Sequence, residues 1–272
     1  MYLNNKSIFD LLSFHIVDEN IVDETILERW VEQAMVNDDY SFETGLLGIA
    51  WYISFLIENN YLVGDPDEIL ADLDDLIYKL TLKEVLQESI HVEKHLNLIT
   101  YYQQRIGNDS KDHIYNRFTH FECLKLLIAR LNEVLLDPKS FDQKELPLII
   151  DILLKYSYLA IYVTDESLLE KPFYSSIENI LDRFILEHVF IENVFIAKLF
   201  LCVKQYDNRY WWGKFQKILQ SNGSNETSLW SELYLHIGET DLKDVNLKHF
   251  MKYDMDSKTL FDFVTNTNVY GD

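Results

Sequence analysis

The chain has 272 residues, 48% of them hydrophobic, which is enough to bury a sizeable core in one large domain or two ordinary ones and excludes a disordered chain. Its 45 acidic and 24 basic side chains leave a formal charge of −21, a field that repels a phosphate backbone and an anionic lipid surface, so neither nucleic acid nor membrane is expected as a partner. A solvated acidic face accounts for the imbalance; attraction of a basic peptide is the sharper reading. With four prolines, eight glycines and little strand-like alternation, the composition predicts an all-helical fold in a single domain, 1–272.

The opening MYLNNKSIFDLLSFHIVDEN acquires acidic residues at once and has no uncharged signal core, so a cytoplasmic location is the default expectation. From Val22 to Met35, the positions Ile26, Leu27, Trp30, Val31 and Ala34 form one stripe of an amphipathic helix, with Asp23 as its N-cap. The next helix, Gly45 to Glu58, is apolar nearly all round and should be buried on most sides. Gly45 and Gly48 stand one turn apart at its head, at a propensity cost of about 1 kcal/mol each against alanine. They can clear one face for a neighbouring helix or an exposed backbone.

The link 59–66 ends that helix, and Asp65 caps a further one with Pro66 at its first position, where the missing N–H costs nothing. Asp67, Glu68, Asp72, Asp74 and Asp75 read as a favourable first turn and a solvated face rather than a metal cluster. Further helices are expected at Leu82–Arg105, His113–Leu136, Leu146–Val163, Tyr174–Glu187, Glu192–Gln205, Tyr210–Gln220 and Thr227–His236. The runs nearest to membrane spans fail: Gly45–Ile57 is too short, and Leu146–Val163 carries Asp151 and Lys155. A faint echo relates 42–60 to 86–104, the size of one helical hairpin repeat, and stacked hairpins make either an open solenoid or a closed ring.

Three constellations could carry binding. His91 and His95, at i and i+4, share a helical face and could grip a metal, although a polar surface face needs no third ligand. His113, Asn116, Arg117 and His120 form a polar stripe opposite Ile114, Phe118, Phe121 and Leu124; that stripe either lines a cavity for a peptide or sugar, or meets solvent. Trp211 and Trp212, with Tyr206, Tyr210 and Phe215, are either a stacking platform or core. Cys123 and Cys202 lie in apolar helical patterns and read as buried thiols. No nucleophile elbow, phosphate loop, dinucleotide fingerprint or calcium loop occurs.

Gly45-Leu-Leu-Gly-Ile-Ala, continued through Trp51–Ile57, Asn60–Gly64 and Asp67–Asp74, resembles the glycine-containing repeat of the lanthionine synthetase C-like proteins; Glu43 to Tyr78 looks like the first such repeat. The resemblance implies an α/α toroid, an inner ring of helices surrounded by an outer one, with the open solenoid as the alternative. The family's enzymes add a peptide thiol to a dehydrated serine or threonine with zinc held by two cysteines and a histidine. This sequence has no Trp-Cys-Tyr-Gly, no Cys-His-Gly and no second Gly-x-x-Gly repeat downstream, so neither zinc nor another cofactor is expected, and no catalytic residue is assigned. The resulting expectation is a peptide- or protein-binding accessory in peptide modification, whose partner is a basic peptide or a peptide-modifying enzyme. The alternatives are a toroid enzyme using carboxylates on a sugar or isoprenoid-like substrate, and a plain helical scaffold.

Overall fold

The computed structural model describes residues 7–12, 24–108, 114–137, 145–160, 163, 167–187, 193–206, 208–221, 258, 261, 262 and 265. Among these, every regular element is helical. A helical turn at 8–12 precedes α1 (Glu24–Asn37), α2 (Leu46–Glu58), α3 (Pro66–Ile69), α4 (Ala71–Val85), α5 (Val92–Gly107), α6 (Ile114–Leu136), α7 (Leu146–Leu159), α8 (Glu170–Glu187), α9 (Asn193–Gln205) and α10 (Arg209–Ser221). The chain gathers into two compact units, Met1–Leu127 with Asn246–Asp272 and Ile128–Val245. No helix among the described residues is long and apolar enough to cross a membrane. The cap expected at Asp23 and the helix expected at Thr227–His236 lie outside the described residues.

In the first unit α2 is the centre. Every residue from Leu46 to Leu56 is buried, as its continuous apolar run requires, and α1, α4 and α5 pack around it. Each large side chain buried in this way, such as Trp51 or Phe55, contributes about 1.5–3 kcal/mol. The helices before and after residues 39–45 end alike. Asp38 (φ 53°) closes α1, with Asp39 N donating to Ala34 O and Asp38 N to Met35 O; Asn60 (φ 59°) closes α2, with Tyr61 N donating to Leu56 O and Asn60 N to Ile57 O. Both are Schellman closures, built on the residue types that tolerate the left-handed region without being glycine.

The head of α2 explains its glycines. Gly45 is the N-cap in extended backbone, and the segment before it folds back across the first turn. Asp39 organises that segment: its carboxylate accepts from Ser41 N and Thr44 Oγ1, both at 2.9 Å, and its carbonyl accepts from Leu46 N at 2.9 Å. A Cβ on Gly48 would sit 1.8 Å from Phe42 O, and one on Gly45 would sit 2.4 Å from Ser41 N. The obstacles are backbone atoms, which cannot rotate away. The fold-back delivers Phe42 to Trp51 (5.9 Å between ring centroids) and Phe261 (5.1 Å), sealing this end of the core.

Asp65 caps α3 by accepting from Asp67 N at 2.9 Å, with Pro66 at its start, as the sequence predicts. The single helix expected over Leu82–Arg105 is not formed. The chain leaves α4 at Val85 and re-enters helix at Val92, with His91 extended as the cap of α5. No glycine or proline marks this turn; it exists because α5 must reverse to bury Leu98, Ile99, Tyr101 and Tyr102, leaving Leu86 82% exposed at the bend. Burial of one apolar face outweighs the local preference to continue the helix.

In the second unit α7 is the buried element, packed by α8 and α9, while α10 lies on α8 and α9. The Tyr156 hydroxyl lies 3.0 Å from Ile128 O and 2.9 Å from Asn132 Oδ1, and Asn132 Nδ2 donates to Leu168 O (2.7 Å), so these two side chains are tied to each other and to neighbouring backbone. Relative to the expected ranges, α7 stops at Leu159 rather than Val163, and α8 begins at Glu170 rather than Tyr174.

Two glycine substitutions should behave oppositely. Gly48→Ala meets the Phe42 carbonyl and is expected to destabilise the protein by about 3 kcal/mol or more. Gly213→Ala, inside α10 with nothing within 4 Å of the new carbon, is expected to stabilise by up to about 1 kcal/mol. Urea midpoints of both variants measure the contrast; equal midpoints would contradict the close approach at α2.

Candidate functional site

Two polar features stand out in the first unit. The first is a buried network between α3, α4, α5 and α6. Arg105 has a side chain with no exposed surface; its Nη2 donates to Asp67 Oδ1 (2.6 Å) and Asp74 Oδ2 (2.7 Å), and its Nε donates to Asp74 Oδ1 (3.2 Å). The Tyr101 hydroxyl donates to the same Asp74 oxygen, and His120 Nε2 stands 3.6 Å from Asp74 Oδ2. Burial alone would raise the Asp74 carboxyl, but the donors of His120 and Arg105 and their positive charge outweigh it and hold it below its ordinary value. Burial and the Asp74 charge push the Tyr101 hydroxyl well up, so it remains a donor. Satisfied on this many sides, Asp74 is a structural carboxylate.

The second feature is an open cleft of about 890 Å3, a size ordinary for a ligand site. Its apolar surface comes from Phe9, Phe42, Leu47, Leu76, Leu80, Leu98 and Phe261, contributed by the N-terminal turn, the glycine-supported loop, α2, α4, α5 and the segment near residue 261. Around this lie Asp38, Glu43, Glu84, Glu93 and Asp262, with Lys79, Lys83, Lys94 and Lys258. Several of these charges are matched within the protein: Lys79 with Asp75 (2.6 Å), Lys94 with Glu84 (3.2 Å) and Lys258 with Glu93 (3.8 Å). Tyr40 and Ser41 complete the loop wall. The arrangement suits a ligand that has an apolar body and charged substituents.

The residues singled out in the sequence are dispersed. His91 is half exposed at the cap of α5, whereas His95 is fully buried with Nδ1 3.0 Å from His91 O, so the two imidazoles do not present one metal-binding face. Asn116 is exposed on α6, and His113 lies outside the described residues. The expected faces of α6 are exchanged at its start: Ile114 and Phe118 are 72% and 63% exposed, while His120 of the polar stripe is buried against Asp74 and the Tyr102 ring (5.7 Å). The carboxylate beneath it supplies the reason, and apolar burial on this helix is carried further along by Leu124, Leu127, Ile128 and Leu131. Trp211 is fully buried among Phe173, Tyr174 and Tyr206, which removes it as a stacking platform; Trp212 is 40% exposed beside Phe200 and Phe215.

Asp67 and Asp74 were expected on a solvated face and are instead turned inward, while Glu68, Asp72 and Asp75 are exposed as anticipated. Asp67 belongs to α3 and Asp74 to α4, and the break at Leu70 between the two short helices still leaves both carboxylates facing Arg105. Nothing in the local sequence identifies Arg105 as their partner.

The donor set does not fit the zinc centre of the lanthionine synthetases. Cys123 and Cys202 are buried, belong to different units, and have thiols pushed up chiefly by burial, whereas a metal ligand must be a thiolate. Among the described residues no group of three or more histidine, cysteine, aspartate or glutamate side chains is placed to hold a metal ion. Compared with family models, curated proteins and solved structures, the chain matches none.

Removing the cation from the buried network should be costly. Arg105→Met strands two carboxylates and is expected to destabilise by about 3–5 kcal/mol in chemical unfolding. The pH dependence has a definite sign: the folded carboxyl of Asp74 lies below its ordinary value of 3.8, so its contribution is complete above that value and is lost as pH falls through the lower, folded one. The stability of Asp74→Asn should therefore fall less steeply than wild type in acid, and parallel acid curves would count against the network.

Proposed function

We propose that this chain is a lanthionine synthetase C-like helical protein, its hairpins arranged as an α/α toroid or, alternatively, an open solenoid, that binds a basic peptide, free or as part of a peptide-modifying enzyme. The observation that carries this reading is the cleft: an apolar interior formed where the glycine-supported loop meets α4 and α5, bordered by charged side chains of both signs. A peptide supplies the matching chemistry, with apolar side chains for the interior and ionic groups for the border. The −21 formal charge adds a long-range attraction for a cationic chain, acting mainly on the rate of encounter. Cyclase chemistry has no place in the proposal, because the two cysteines are not a fitting ligand set.

One arrangement favours the carboxylate-enzyme alternative: Glu84 and Glu93 both line the cleft, and His91 Nδ1 is 3.6 Å from Glu84 Oε2. Such a grouping could exchange protons with a bound sugar. Turnover of oligosaccharides, lost in His91→Ala, would favour it over peptide binding.

Fluorescence anisotropy with a labelled peptide alternating lysine and leucine tests the main reading. Micromolar binding that weakens with salt is expected. Leu80→Lys, which puts a like charge on the apolar wall, should weaken it by about tenfold or more, or about 1.4 kcal/mol. Equal binding by wild type and Leu80→Lys would move the site away from the cleft; no binding at millimolar protein would end the peptide reading.

A further inference from the structure

Glu84 differs from the other carboxylates of the cleft. Asp38, Glu43 and Glu93 are exposed and Asp262 is half-buried, but the Glu84 side chain is only 3% exposed, at the last turn of α4. Its Oε1 accepts from Lys94 Nζ (3.2 Å) and Gln87 Nε2 (3.3 Å). Its Oε2 makes no hydrogen bond among the described residues, and His91 Nδ1 stands 3.6 Å from it. A buried carboxylate oxygen with no donor is a costly feature in a fold that gives Asp74 a full set of donors. Lys94, by contrast, is 59% exposed and reaches Glu84 on a long flexible stem. A surface lysine holding an inward carboxylate is easily exchanged for another ammonium, since an exposed partner contributes little.

We propose that Glu84 is the recognition carboxylate of the cleft, receiving the lysine or arginine side chain of a bound basic peptide, and that Lys94 occupies this position in the free protein and is displaced on binding. This rests on the peptide-binding reading of the cleft and adds the group that selects charge. The incoming cation supplies the donor that Glu84 Oε2 lacks, while neighbouring peptide residues cover Leu80 and Leu98. Lys94 is thus an internal competitor, setting a threshold that a neutral or acidic peptide does not cross.

The two side chains make opposite predictions, which a purely structural clamp between α4 and α5 does not. With the lysine–leucine peptide as probe, Glu84→Gln should weaken binding tenfold or more, whereas Lys94→Met should tighten it severalfold by removing the competitor. A peptide with glutamine in place of lysine should bind weakly to wild type and gain nothing from Lys94→Met. Thermal unfolding of each variant checks that the fold persists. Weaker binding by Lys94→Met, or unchanged binding by a folded Glu84→Gln, overturns the assignment of Glu84 and leaves the cleft reading standing. Absence of binding by wild type and Lys94→Met alike overturns both.

Discussion

The close passage of the Phe42 carbonyl over Gly48 is the constraint on which the first unit depends. A side chain at position 48 would lift residues 39–43 away from the head of α2. Phe42 would then lose its place against Trp51 and Phe261, and the cleft would lose the wall formed by Tyr40, Ser41, Phe42 and Glu43. The glycines let one backbone lie on another, and that contact creates both the end of the core and the edge of the candidate site.

Charge is distributed within this unit in two different ways. Asp67 and Asp74 are turned inward and share a guanidinium that has no exposed surface, so their desolvation is offset by short, directional hydrogen bonds. The network joins elements distant in sequence and has little freedom to rearrange. Glu84, at 3% exposure against 9% for Asp67 and 14% for Asp74, is the more deeply placed, but it is met by one exposed lysine, a glutamine and a histidine at longer range. The first arrangement favours rigidity, and the second favours exchange of partners. The contrast rests on how completely each carboxylate is satisfied rather than on the total number of acids.

Legibility in the sequence follows how local the cause is. The apolar run of α2, the Asp65 cap with Pro66, and the burial of both cysteines were readable because each depends on residues within a few turns. The reversal at 86–91 was not, because Leu86 continues the helical pattern and only the packing of α5 against α2 breaks it. Asp67 and Asp75 look alike in sequence, yet one meets Arg105 and the other meets Lys79 in solvent. The inward turn of His120, rather than of its whole stripe, was hidden for the same reason: its partner, Asp74, comes from another helix. The cleft was the least legible feature, since its lining extends from Phe9 to Asp262.

Under the proposed reading, these placements assign the helical framework to holding a peptide rather than to reacting with it. Zinc-assisted thiol chemistry needs cysteines whose thiolates are favoured, and burial here works in the other direction at both Cys123 and Cys202. What this chain offers instead is an apolar cleft with an inward carboxylate beside a surrogate cation. In the proposed reading, retaining the glycine-supported loop without the metal ligands preserves a wall for holding a peptide while removing the means of reacting with it. Selection then rests on charge exchange at Glu84, where an incoming ammonium must do better than Lys94, and on apolar contact with the wall that Gly48 makes possible.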